Sequence, residues 1–221
     1  MKFLVFSEKC WKWFMEACFP SRCLVCRVEG KYFCEKHKEF SVAPFDKANL
    51  KFLDRVFAAV AYYDLNSKKA IEYFKFHGFK DLAEIMVMEI LKNAPSGFFD
   101  NTILVPIPLH WTRKIWRGFN QADVLTEEIA KLVPSVHICR NLKRVRRTRQ
   151  QARLSKRERL KNLKGAFVWD GERFSGNEKV ILVDDVVASG ATLDCAAEIL
   201  KRYGVRNVEA VVFARGGRTN L

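Results

Sequence analysis

An apolar run that ends in two adjacent carboxylates constrains this chain more than any other stretch. Val180-Ile-Leu-Val183 is followed by Asp184-Asp185, by the small residues Ala188-Ser189-Gly190-Ala191-Thr192, and by a helical pattern reaching Tyr203. A continuous branched run of this length fits a strand buried on both faces, as in a parallel sheet. Such a strand, over residues 179–183, delivers both acids at its C-terminal end, where open α/β sheets bind ligands. Neighbouring carboxylates suit two adjacent sugar hydroxyls, each accepting one hydrogen bond. The loop N–H groups, the Ser189 and Thr192 hydroxyls and the helix dipole suit a phosphate. An acidic pair beside a Gly/Ser turn explains each part singly, but not their order.

The rest of the chain alternates in the same way. Residues 57–63 and 102–107 read as strands, the latter stopped by Pro106 and Pro108. Residues 68–76 and 81–92 have helical spacing, split at His77-Gly78, and 120–132 is a further helix. Short strands are expected at 136–139 and 166–169, a helix at 156–163, a helix at 191–203 ended by Gly204, and a last strand at 208–214. Strands alternating with helices predict an α/β fold with a largely parallel sheet.

Five of the seven cysteines lie in the first 34 residues, a clustering that points to metal rather than to a disulfide scaffold. Cys23-Leu-Val-Cys26 and Cys34-Glu-Lys-His37 each present two ligands two residues apart. Three thiolates and an imidazole make a closed, structural Zn²⁺ set. Cys10 and Cys18 are spare, and either could take the place of His37. Trp11, Phe14 and Met15 fall at helical spacing and fit a short helix packed on the knuckle or the main domain. With a polar boundary after Pro44, the chain divides into a zinc-binding knuckle, 1–45, and a larger domain, 46–221.

Of 221 residues, 49% are hydrophobic and the net charge is +14, which excludes a disordered chain. The longest apolar run, Val56 to Tyr63, is eight residues, against about 20 for a membrane span. The four apolar residues from Phe3 to Phe6 are too few for a secretory signal. The expectation is a cytoplasmic protein with no membrane insertion. Residues 140–164 hold twelve Lys/Arg and one acid, Glu158, and so carry +11 of the total. Within them Lys143, Arg144, Arg146, Arg147, Arg149 and Arg153 are candidates for a nucleic-acid backbone; a solvated loop that touches nothing is the plainer alternative. Stacking aromatics are absent from the window and would come from Trp111, Trp116 and Phe119, or from Trp11 and Trp13.

Residues 180–192 resemble the phosphoribosyl pyrophosphate (PRPP) motif of the type I phosphoribosyltransferases. The resemblance implies that Asp184 and Asp185 are catalytic and meet the ribose hydroxyls, and that Ala188, Ser189, Gly190, Ala191 and Thr192 hold the 5-phosphate. Several purine-salvage members have an Asp at the position of Ala188 as proton acceptor for the base; this chain lacks it. A second segment, Leu104-Val-Pro-Ile-Pro-Leu-His110, leads to Arg113 and to Arg117-Gly-Phe-Asn-Gln121, and arginine forks suit pyrophosphate. With the Cys/His knuckle, these motifs in this order resemble the ComF family, whose members often complete the metal site with cysteine.

That resemblance implies a type I phosphoribosyltransferase-like fold with a small N-terminal zinc-binding domain, and residues 109–121 near pyrophosphate. Lys75 matches a family position without an assigned role. The implied function is natural competence: handling incoming single-stranded DNA in the cytoplasm while binding PRPP or a related phosphoribosyl ligand with Mg²⁺. The alternatives are an active phosphoribosyltransferase of nucleotide metabolism, and an adaptor recruited to DNA-uptake channel or helicase proteins through the knuckle.

Overall fold

The structure, a computed structural model, describes residues 21–43, 50–76, 81–146, 163 and 165–216. The readings placed on Cys10, Cys18, Trp11, Trp13, Phe14, Met15, the boundary after Pro44, the His77-Gly78 split, Arg147, Arg149, Arg153 and nearly all of the helix at 156–163 lie outside those residues.

In chain order, β1 (Arg55–Ala61) leads to helices α1 (Leu65–Phe76) and α2 (Leu82–Asn93), then to β2 (Thr102–Pro106). Helices α3 (Trp111–Arg117) and α4 (Gln121–Leu132) follow, then β3 (His137–Ile138), β4 (Leu142–Arg144) and β5 (Phe167–Trp169). The chain closes with β6 (Lys179–Val187), α5 (Ala191–Arg202) and β7 (Val208–Arg215). Five strands form one sheet in the order β1-β7-β6-β2-β3, every neighbouring pair parallel. β4 and β5 form a separate antiparallel pair.

Period-two alternation sorts the sheet's side chains between two helical layers. On one face Phe57, Leu104, Ile181, Val183 and Phe213 pack with Ile71 and Phe74 of α1, Met86 and Ile90 of α2, and Leu125 and Ile129 of α4. On the other, Val56, Val105, Leu182 and Val212 pack with Leu193, Ala197 and Leu200 of α5 and with Leu142, Phe167 and Trp169 of the antiparallel pair. The knuckle shares the first of these cores through Leu24, Phe33 and Phe40. Asn66 of α1 donates to the His37 and Glu39 carbonyls at 2.9 and 2.7 Å, and Val42 bridges Val60 antiparallel on the outer side of β1.

Chain direction then fixes where a ligand can enter. From β6 the chain crosses to β7 through α5 on one face; from β2 it crosses to β3 through α4 on the other. Connections leaving neighbouring strands toward opposite faces open a crevice beyond the carboxyl ends of β2 and β6, the topological switch point of the sheet.

Two elements differ from the sequence reading. Residues 111–117 form α3, a stretch to which no helix or strand was assigned above, and the start of the basic window is a strand, β4. Leu142 is buried and faces Trp169, so one apolar side chain and a ladder partner override the charge density around it. β6 also continues past Val183 to Val187, because its pairing with β7 runs on to Val187 opposite Arg215.

Candidate functional site

The acidic pair sits at the switch point. Val183 lies opposite Pro106 in the β2–β6 ladder, the Ile107 N–H donates to the Val183 carbonyl at 2.9 Å, and buried Asn120 ties down the Ile107 carbonyl at 3.1 Å. Asp184 and Asp185 follow directly. Burial, and then the Asp185 charge beside it, push the Asp184 carboxyl up to about 7, against the lowering effects of the Asp185 N–H, Lys75 and Arg144. Asp184 Oδ1 accepts that N–H at 2.9 Å. Asp185 is paired with the Lys75 ammonium at 2.8 Å, both side chains largely buried. Lys75 stands in the last turn of α1, 110 residues away in sequence. The family position recognised in the sequence thus acquires a contact that no local spacing could reveal.

Beyond the acids, residues 188–190 lead into α5. Asp184 and residues 186–193 line a cavity of about 70 Å³, several times what one water needs. Gly190, at φ +72°, has no alternative: a Cβ there would stand 2.5 Å from Leu50 Cδ1. The N-cap of α5 is Gly190, which has no side chain with which to cap the helix. The cavity therefore combines a carboxylate rim with a turn of small residues opening on a positive helix end, an arrangement suited to a phosphorylated sugar. A larger cavity, of about 790 Å³, lies between the β4–β5 pair and α5. It carries less chemistry: its Asp194 is occupied by the Phe52 and Leu53 N–H groups, and burial raises its Cys195 thiol to about 11.

Of the expected pyrophosphate residues, Arg113 is placed on α3 by its backbone alone. Arg117 ends that helix, its guanidinium 5.4 Å from the centre of the Phe76 ring and its Nη1 donating to Gln121 Oε1 at 3.0 Å. In the basic window, Lys143 and Arg146 are exposed. Arg144 lies over the Phe167 ring at 5.3 Å, close enough to Asp184 for its charge to act there. Phe119 is buried against Phe74 and cannot meet a base, whereas Trp111 and Trp116 are exposed.

The four knuckle ligands converge. Their donor atoms all lie within 4.8 Å of one another, with Cys26 Sγ to Cys34 Sγ 3.7 Å and His37 Nδ1 at 3.6 and 3.3 Å from Cys23 and Cys34. Tetrahedral Zn²⁺ with ordinary bond lengths sets sulfurs about 3.8 Å apart and sulfur from nitrogen about 3.5 Å. The residues fit the ion, with His37 in the set. Burial pushes the Cys23 thiol up, but the N–H groups of Cys26, Cys34 and Val25 outweigh it and bring it down to about 6. The Cys26 thiol, lowered by the Val28 N–H, ends above its usual value because burial and the Cys23 and Cys34 sulfurs oppose its ionisation. A divalent cation lets such crowded sulfurs ionise together. Mg²⁺ prefers hard oxygen donors, which Asp184 and Asp185 supply. Lys75 already neutralises Asp185, so the ion would draw on Asp184 and on the ligand's own phosphates.

Residues 130–221 match the phosphoribosyl transferase domain family. Competence protein F of Haemophilus influenzae is 35% identical over 51% of this chain and 49% of its own length. DNA utilization protein YhgH of Salmonella typhimurium is 35% identical over 61% of this chain and 59% of its own. Competence protein ComFC of Bacillus subtilis is 32% identical over 62% of this chain and 54% of its own. The matches thus span about half to three-fifths of these relatives. The fold is phosphoribosyltransferase-like, five parallel strands with a Cys/His cluster before them, and its homologues include competence and DNA utilization proteins.

Proposed function

Taking a phosphoribosyltransferase-like domain with competence-protein homologues as the premise, we propose that this protein handles incoming single-stranded DNA in the cytoplasm during natural competence. It also binds PRPP or a related phosphoribosyl ligand at the β2–β6 crevice. The observation that carries the reading is the sequence of Asp184, Asp185 and the 188–192 turn at the switch point of the sheet. In it, Asp184 and Asp185 accept the ribose hydroxyls, the 188–192 turn holds the 5-phosphate, and Arg113 and Arg117 serve the pyrophosphate. Mg²⁺, arriving with the ligand, would neutralise pyrophosphate charge. Lys75 holds Asp185 in place, and Cys23, Cys26, Cys34 and His37 hold a structural Zn²⁺. Lys143, Arg144, Arg146, Arg147, Arg149 and Arg153 supply cations to the DNA backbone; Arg144 also faces Asp184 and couples the two regions.

An active phosphoribosyltransferase is the second reading, favoured by the intact acidic pair. Ionised Asp184 and Asp185 would then stabilise an oxocarbenium-like ribose, and the arginines the negative charge of the departing pyrophosphate. Calorimetry with PRPP and Mg²⁺ tests the pocket: the wild type is expected to bind, and the Asp184→Asn/Asp185→Asn variant to lose binding. No heat with either protein would remove the phosphoribosyl reading. Pyrophosphate release in an acceptor screen would favour the enzyme. For DNA, about six engaged cations give a slope of log K against log salt near −4. Replacing Arg146, Arg147, Arg149 and Arg153 by Gln should flatten it, leaving Arg144 beside Asp184 untouched; an unchanged slope removes those contacts.

A further inference from the structure

Where α1 and α3 meet at the rim of the crevice, two aromatic rings stand out in solvent. Phe76 is 56% exposed and Trp116 71%. Their centroids are 6.0 Å apart at 67°, so one ring braces the other. Ile115 beside Trp116 is exposed as well. Arg117 lies over the Phe76 ring, and its Nε is buried without a hydrogen-bond partner among the described residues. The same is true of Nε2 of Gln121, a side chain only 2% exposed and held to Arg117. Aromatic planes, a guanidinium and unused donors thus occupy one corner, next to Lys75 and hence to Asp185.

We propose that this Phe76–Trp116 shelf is where an unpaired base of single-stranded DNA stacks, with Arg117 directed to the adjoining phosphate when the crevice holds no pyrophosphate. The inference rests on the DNA-handling reading and names the surface that would perform it. Charge chooses the occupant. A polyanion suits a chain of net charge +14, and base faces suit exposed rings whatever their sequence. Arginine is the cation able to lie on an aromatic ring while its edge meets phosphate. The basic window supplies cations but no ring, and Phe119 is buried, so the stacking partner comes from a helix end rather than from the charged segment.

Fluorescence anisotropy with the full chain, at several salt concentrations, tests this on a labelled oligothymidine and an abasic strand of equal length. The wild type should bind the thymidine strand more tightly. Trp116→Ala and Phe76→Ala should each weaken thymidine binding by about 5–150-fold, the range for one stacked base. Affinity for the abasic strand and the salt slope should stay as they were, and Trp116→Phe should retain most of the binding. Because both side chains are exposed, unfolding midpoints should match the wild type. Equal affinity for the two strands, or variants that bind both as the wild type does, would overturn the shelf and leave the DNA reading standing. A wild type that binds neither strand overturns both.

Discussion

At the scale of single residues, the crevice is organised by one mismatch: two acids side by side, with a buried ammonium on only one of them. In the folded chain Asp184 keeps its proton to about pH 7, against an ordinary value of 3.8. An acid raised by folding contributes its stability in full below the unfolded value and loses it as pH rises through the folded value. Asp184→Asn, which cannot ionise, should therefore gain on the wild type between pH 4 and pH 8, the gap widening across that interval in urea unfolding. A gap independent of pH would contradict the assignment. Lys75→Met leaves two adjacent carboxylates without their ammonium and should cost on the order of 3 kcal/mol at pH 8, less near pH 4. Adding Asp185→Asn should return most of that loss, since the two residues act as a pair.

At the scale of elements, the turn between β6 and α5 is the piece with least freedom. Gly190→Ala combines a left-handed φ with a Cβ driven into Leu50. The expected cost is about 1–2 kcal/mol in denaturant unfolding, from the left-handed backbone, since the Leu50 methyl can move aside, with weaker PRPP binding if the turn relaxes toward an ordinary φ. Elements were legible in the sequence wherever pattern and tertiary demand agreed. The apolar core of β6, the helix after Gly190 and the strand at β7 follow from period and breakers alone. β4 was not legible, because Leu142 is a single apolar residue among cations and its partner, Trp169, lies 27 residues on. Nor was α3, where Trp111, Ile115 and Trp116 stay exposed and leave no buried stripe to give a period. The acidic pair and the Cys/His cluster were legible as groups because their residues are close in sequence. The Lys75–Asp185 contact, the seating of Arg144 by Asp184 and the burial of Phe119 depend on packing between distant segments.

At the scale of the whole molecule, the knuckle is not an appendage in energetic terms. Leu24, Phe33 and Phe40 belong to the same core as α1, α2 and the sheet, with Phe40 edge-on to Phe213 of β7. Removing Zn²⁺ with a chelator should therefore lower the unfolding temperature of the entire protein in a single calorimetric transition. Two separate transitions, the larger unmoved by the chelator, would mean that the cores are independent. No helix among the described residues is long and apolar enough to cross a membrane.

The segment leaving the knuckle also covers one border of the sheet. β1 ends the sheet on one side, and an outermost strand offers its backbone to any other chain that comes near. Here that position is taken: the Ala43 N–H donates to the Ala59 carbonyl at 3.3 Å, and the Ala61 N–H to the Ser41 carbonyl at 2.7 Å. A metal ion held by the Cys/His cluster some residues upstream would thus anchor a guard along the border of the sheet. A sample stripped of metal would therefore be expected to scatter light, from strand meeting strand, as that single transition is crossed.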